Sequence, residues 1–197
     1  LEKNEDRPSF LLLHPMDMPL PYAEPLAYRT RFAGQPPEEL DIVSFQRSAV
    51  VSGAKTMGED GKQYVRDRYD NNLSFVDDQL QRVMEVLGPN DTVMLVSDHG
   101  EEFWDHGGFE HGHALHDELL RVPMLWKGPG VTAGRFSEPT SLLDVAPTLA
   151  AAAGLSTEGM TGLPLQSLIS GAASEEFIAR PQAFGRPLYG QRQWGGL

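Results

Sequence analysis

The strongest constraint on the fold is a long helix pattern that is followed at once by a strand pattern. Across residues 64–87, apolar side chains recur at steps of three and four, as on one face of an amphipathic helix. Gly88 and Pro89 then end the helix, and the β-rich apolar run 92–96 predicts a strand. The continuous apolar run 10–13 predicts an earlier strand, buried on both faces. Strand, helix and strand in this order predict an α/β fold with a parallel sheet.

Shorter patterns extend this outline. Residues 122–126 predict a second strand after the helix, and Asp144 is positioned to cap a helix that Gly154 ends. Residues 34–63, which contain a Pro-Pro pair and several glycines, predict a loop or insertion. The weak periodicity of residues 172–197 predicts an irregular tail.

Five of the six histidines fall within residues 99–116, directly after the predicted strand 92–96. Carboxylates are interspersed among them, and imidazole and carboxylate groups are the ligands of divalent metals. In α/β sheets, ligands bind beyond the carboxyl ends of the strands, which is where Asp98 and His99 lie. Both can bind one ion only if the strand has already become a loop, and Gly100 permits that. The window therefore predicts a metal site.

The remaining histidines of the window have different expected roles. His111 and His113 flank Gly112 and could reach an anionic substrate or the metal. His106 and His116 are expected to face solvent or to support the residues that bind.

Composition excludes several classes of partner. The chain has 16 basic and 28 acidic residues and a net charge of -12, which argues against nucleic acid or an anionic membrane surface as a partner. It has no cysteine, so a zinc–thiolate site is excluded. No apolar run is long enough to predict a membrane-spanning segment.

Several of these motifs together resemble the C-terminal half of the sulfatase family, within the alkaline-phosphatase-like superfamily. The resemblance covers roughly three quarters of the chain, by the standard of motifs in their expected context. It is carried by TVMLVSDHGEEF (92–103), HGHAL (111–115), LRVPML (120–125), YDNNLSFVD (69–77), SLLDVAPTL (141–149), GLPL (162–165) and the segment 10–22.

The resemblance implies a fold and a chemistry. The fold would be an alkaline-phosphatase-like α/β sandwich with a mostly parallel central sheet flanked by helices, of which residues 1–197 would be a C-terminal portion. Asp98 and His99 would hold one divalent cation, usually Ca²⁺, with Zn²⁺ or Mn²⁺ as alternatives, together with two acidic residues from an upstream strand that this sequence does not contain.

The same resemblance implies an activity on sulfate monoesters of small molecules or glycans. His111 and His113 are the candidate catalytic residues, because they would bind the ester. His14 and Arg121 are candidate substrate-binding residues, although Arg121 could instead tie its loop to the sheet.

Two departures from the family pattern leave alternatives open. The sequence contains no C/S-x-P-x-R pentapeptide, the site of the family's nucleophile, and Pro19 stands where a substrate-binding histidine is expected. The chain is therefore expected to be a piece of a longer sulfatase and to have little activity alone. The alternatives are a phosphodiesterase, phosphonate hydrolase or phosphoethanolamine transferase of the same superfamily, and a non-catalytic remnant.

Overall fold

The structure is a computed structural model, which describes residues 8–16, 18, 22–37, 56–170, 175–186 and 193–196. The chain forms two compact units, residues 1–86 and 87–197. Among the described residues, no helix is both long and apolar enough to cross a membrane. The assignment of the whole chain to part of one domain stays a prediction.

The first unit contains the helix α1 (Glu59–Val86). It begins with two acidic residues, Glu59 and Asp60, which favour a helix N-terminus electrostatically. This start lies before the predicted one, so the loop predicted for residues 34–63 is shorter; of that loop, residues 38–55 lie outside the described part. The predicted apolar face is only partly covered, since Val65 is buried but Leu73 is 48% exposed.

Buried polar side chains connect α1 to the segment 22–37. The Asn71 side chain accepts a hydrogen bond from the Phe32 amide at 2.9 Å and donates one to the Arg29 carbonyl at 2.8 Å. The buried Glu24 carboxylate forms an ion pair with the Arg68 guanidinium. Arg68 Nε faces Glu24 Oε1, and Arg68 Nη2 donates to Glu24 Oε2 at 2.8 Å. These contacts satisfy groups that would be costly to bury alone.

The prediction of a strand at residues 10–13 is wrong. These four residues have no regular secondary structure, and each side chain is 51–77% exposed. A strand requires a hydrogen-bonded partner. Within the described part of the chain, no strand pairs with this segment.

The second unit contains short elements linked by loops. In chain order they are β1 (Val93–Val96), β2 (Glu102–Phe103), β3 (Phe109–Glu110), α2 (Asp117–Leu120), β4 (Met124–Lys127), a 3₁₀ turn (Leu142–Asp144), α3 (Val145–Ala152), α4 (Gln166–Ile169), α5 (Glu175–Ala179), β5 (Ala183–Arg186) and β6 (Gln193–Gly196). The strands predicted at 92–96 and 122–126 are thus confirmed as β1 and β4, with small changes at their ends.

The strand pairs of the described residues differ from the predicted parallel arrangement. They are three antiparallel pairs, β1–β4, β2–β3 and β5–β6. In β1–β4, Val93 is opposite Lys127 and Val96 is opposite Met124. The parallel prediction required a strand at residues 10–13, which does not form. The antiparallel pairing places the carboxyl end of β1 beside the amino end of β4.

The core of the second unit includes a residue of the segment that was predicted to be an irregular tail. Leu165, Leu168 and Phe177 are buried, and Met94, Met124, Trp126 and Leu163 pack against them. Because Phe177 lies on α5 and β5 pairs with β6, the described part of residues 172–197 is not irregular; residues 172–174, 187–192 and 197 lie outside it.

Asp144 does not act as the predicted helix cap. Ser141 forms a capping box instead, in which its side chain accepts from the Leu143 amide and the Asp144 side chain accepts from the Ser141 amide. Gly154 does follow the helix α3 at a φ of 71°, a left-handed conformation that glycine adopts readily.

Candidate functional site

Asp98 and His99 lie in a loop that leaves β1 after Val96. The Ser97 hydroxyl donates to the His99 carbonyl at 2.6 Å, and the Gly100 amide donates to the Leu119 carbonyl at 2.9 Å. A Cβ on Gly100 would overlap the Glu118 carbonyl, so only glycine permits this close approach. The strand has thus ended before Asp98, as binding of one ion by both side chains requires.

The geometry of His99 suits a metal ligand. Its Nδ1 lies 2.8 Å from the Gly100 carbonyl oxygen, which can only accept, so Nδ1 carries the proton. In the neutral ring the lone pair is then on Nε2, which lies 3.8 Å from Asp98 Oδ2. Two ligands of one cation lie roughly 3–4 Å apart, given metal–ligand distances of about 2.0–2.6 Å. The two side chains, 41% and 69% exposed, therefore fit a shared divalent ion.

His111 is held beside His99. The two rings stack with centroids 3.9 Å apart and planes at 29°. The Nδ1 atom of His111 lies 3.0 Å from Glu101 Oε1, and the Glu101 side chain is only 7% exposed. A carboxylate that engages one ring nitrogen fixes the orientation of the imidazole. The structure thus brings together three of the predicted site residues, Asp98, His99 and His111.

His113 is held by the neighbouring glutamate. Its Nε2 lies 2.6 Å from Oε2 of Glu102, whose side chain is 1% exposed. Glu101, which precedes β2, and Glu102, the first residue of β2, thus orient different histidines, His111 and His113.

The hairpin β2–β3 that supports these contacts has two non-glycine residues with positive φ, Trp104 at 66° and Glu110 at 67°. This conformation costs roughly 1–2 kcal/mol per residue. The Trp104 and Phe109 rings stack 4.4 Å apart at 9°, which helps to hold it. This hairpin was not predicted from the sequence, although the pair Gly107-Gly108 between aromatic residues is a recognised hairpin signal.

His106 and His116 form a second, more exposed histidine pair. Their rings stack 3.9 Å apart, and His106 Nδ1 lies 2.7 Å from Glu118 Oε1. The hydrogen bond with Glu118 raises the pKa of His106, partial burial opposes it, and the charges of Glu118 and Glu102 add to the rise.

A geometric metal-binding group occurs beside this pair. Among the described residues, Glu102, His106 and Glu118 have ligand atoms that all lie within 4.8 Å of one another. Glu102 already accepts from two backbone amides and faces His113, and Glu118 faces His106. We therefore attribute this group to hydrogen bonding and retain Asp98 and His99 as the candidate metal ligands.

Arg121 and His14 are the two remaining candidates. Arg121 follows α2, where its amide donates to the Asp117 carbonyl, and its side chain is exposed. None of the contacts of the described residues joins it to His111 or His113. His14 belongs to the first unit, where it lines a groove of about 270 Å³ with Leu13 and residues of α1. Asp17 and Pro19 lie outside the described residues.

Comparison with known proteins identifies the family. The sulfatase family model matches residues 1–155. The uncharacterized sulfatase YidJ of Escherichia coli K12 is 30% identical over 147 residues, which are 71% of this chain and 29% of that protein. The choline-sulfatase of Rhizobium meliloti 1021 is 33% identical over 132 residues, 60% of this chain and 25% of that protein. The chain thus spans less than a third of the length of these relatives.

Solved structures agree on the fold. A candidate sulfatase from Bacteroides thetaiotaomicron VPI-5482 superimposes with a TM-score of 0.60 at 20% identity, over 92% of this chain and 40% of that structure. This likeness supports the alkaline-phosphatase-like α/β fold. Because the family model covers most of the sequence, the chain belongs to the sulfatase family.

Proposed function

We propose that this chain is the metal- and ester-binding part of a sulfuric ester hydrolase that acts on sulfate monoesters of small molecules or glycans. One observation carries the proposal: Asp98 and His99 can share an ion at the end of β1, and His111 is stacked on His99 and anchored by Glu101. A cation and oriented imidazoles at one place are what an anionic ester requires.

Asp98 and His99 would hold the divalent cation, for which Ca²⁺ is the first candidate and Zn²⁺ or Mn²⁺ are alternatives. When bound, the cation would supply positive charge that polarises a sulfuryl oxygen. His111 and His113, in orientations set by glutamates, would donate hydrogen bonds to the ester oxygens as imidazolium ions. Arg121 would add a positive charge to the substrate if its exposed side chain turns toward the site, and His14 is proposed as a further substrate contact.

The metal part of the proposal can be tested on the purified chain. We expect Ca²⁺ to raise the melting temperature and to give a saturable calorimetric titration, because a ligand that binds only the folded state stabilises it. The Asp98→Asn variant should lose both effects. Asp117→Asn is the matched control, since Asp117 is an exposed acid of the same unit. Equal Ca²⁺ binding by wild type and Asp98→Asn would contradict the assignment of Asp98, and no response to Ca²⁺, Zn²⁺ or Mn²⁺ would contradict the metal site.

The sulfate part separates the proposal from its alternatives. We expect the Ca²⁺-loaded chain to bind inorganic sulfate, and His111→Ala to weaken that binding about tenfold, which corresponds to one charge-assisted hydrogen bond. Tighter binding of inorganic phosphate would favour phosphoryl chemistry, and binding of neither anion would favour a non-catalytic domain. We also expect little or no hydrolysis of an aryl sulfate by this chain, because its sequence lacks the nucleophile motif. Rapid turnover would contradict that expectation.

A further inference from the structure

The Glu102 side chain is buried and accepts hydrogen bonds in a fixed arrangement. Its Oε1 accepts from the backbone amides of His106 at 3.1 Å and Gly108 at 2.6 Å. Its Oε2 lies 2.6 Å from His113 Nε2. Because the two backbone donors hold Oε1, only Oε2 faces the imidazole.

This arrangement determines which nitrogen of His113 carries the proton. An ionised carboxylate can accept hydrogen bonds but cannot donate one. His113 must therefore donate from Nε2. In the neutral ring Nδ1 then carries the lone pair and does not face Glu102. In His111 the other ring nitrogen faces a carboxylate, since Nδ1 lies 3.0 Å from Glu101 Oε1.

We propose that Glu102 is a positioning residue that sets the tautomer of His113, so that His113 carries its proton on Nε2, whereas His111 carries its proton on Nδ1. The functional consequence rests on the proposed function, because it concerns how two histidines of one site meet an anionic ester. In the imidazolium form that donates to an ester oxygen, His113 would donate from Nδ1, the nitrogen that does not face Glu102.

The Glu102→Gln variant isolates this role. Its amide oxygen would stay with the two backbone donors, since the opposite orientation would place the amide NH₂ against the N–H groups of His106 and Gly108. The amide NH₂ would then face His113 Nε2, which would have to accept. We therefore expect the proton of His113 to move from Nε2 to Nδ1 while the loop keeps its structure.

Glu101→Gln is the matched control, and it leads to a different expectation. Among the described residues, the Glu101 carboxylate has no backbone donor that would fix which end of an amide faces His111. The amide can turn its oxygen to His111 Nδ1–H, so we expect both histidines to keep their tautomers. A change of tautomer that follows only from the Glu102 substitution would not be explained by a general loss of negative charge.

The measurement is a long-range ¹H–¹⁵N correlation spectrum of the histidine rings, recorded on the full chain with chelator at about pH 8, where an ordinary imidazole is neutral. We expect Nε2–H for His113 in the wild type and in Glu101→Gln, and Nδ1–H in Glu102→Gln. A wild-type His113 protonated on Nδ1 would overturn the proposal, even if the variant does not fold, and so would an unchanged tautomer in a folded Glu102→Gln. Wild-type protein with Nε2–H that binds no inorganic sulfate would support the positioning role and contradict the proposed function.

Discussion

The guanidinium of Arg180 binds both carboxylate oxygens of Asp144, with nitrogen–oxygen distances of 2.5 and 2.7 Å. Asp144 is fully buried, and it also accepts from the amides of Ser141 and Leu163. Four donors thus satisfy one carboxylate that joins the residue after α5 to the turn before α3. The second unit is held together here by a buried ion pair as well as by its apolar core.

Asp144→Asn should destabilise the second unit by about 3 kcal/mol at neutral pH, since breaking a buried pair leaves the other charge without its partner. The three tryptophans all belong to this unit, so their fluorescence during urea unfolding measures the loss. Asp117→Asn, which changes an exposed carboxylate of the same unit, is the control and should leave the midpoint unchanged. Equal midpoints for wild type and Asp144→Asn would show that the pair contributes nothing.

The ion pair of Asp144 with Arg180 should also make the stability of the folded state depend on pH in the acid range. Burial raises the pKa of Asp144, but the hydrogen bonds from Arg180 and from the Leu163 and Ser141 amides outweigh burial and lower it below the ordinary value of 3.8. A lowered folded-state pKa contributes stability that is fully present above the ordinary value and is lost as the pH falls through the folded value. The difference in unfolding free energy between wild type and Asp144→Asn should therefore shrink between about pH 5 and pH 2. A difference that stays constant over this interval would contradict the assignment.

The sequence predicted the ends of β1 and the position of Asp98 and His99 well because these follow from a local pattern. A short apolar run that contains Thr92, Val93 and Val96 and is followed by polar residues predicts the strand and its end from neighbouring residues alone. The antiparallel partner of β1 could not be predicted in the same way. Pairing depends on distant segments, and residues 10–13 show that an apolar run alone does not make a strand.

The partners of the histidines were also beyond sequence reasoning. Glu101 and Glu102 are identical in type and adjacent, and only the hairpin determines which one meets His111 and which one meets His113. That hairpin depends on positive φ at Trp104, a residue that rarely adopts it. The contacts of Glu101 with His111 and of Glu102 with His113 join residues about ten positions apart and follow from this geometry. They produce no periodic pattern in the sequence from which they could be predicted.

His106 should titrate above its ordinary pKa of 6.5, because its hydrogen bond with Glu118 favours the imidazolium more than partial burial disfavours it. A raised folded-state pKa contributes stability that is present below 6.5 and is lost as the pH rises through the folded value. The His106 ring signals, followed by NMR against pH in chelator, should show a midpoint above 6.5 that Glu118→Gln lowers. Asp117→Asn should change this midpoint less. A midpoint that does not respond to Glu118→Gln would show that the contact does not persist in solution.

Gly108→Ala should disconnect His113 from Glu102. A Cβ at this position would overlap His113 Nε2 and would lie 2.6 Å from Glu102 Oε2, so the pair must separate or the hairpin must shift. Gly134→Ala is the matched control, because its Cβ would meet only the Phe136 ring at 3.8 Å, an ordinary contact. We expect Gly108→Ala to lower the melting temperature and to weaken inorganic sulfate binding, while Gly134→Ala changes neither. Gly108→Ala protein that keeps the wild-type His113 ring signals would show that the hairpin can move without breaking the pair, and the overlap would then impose no constraint on residue 108.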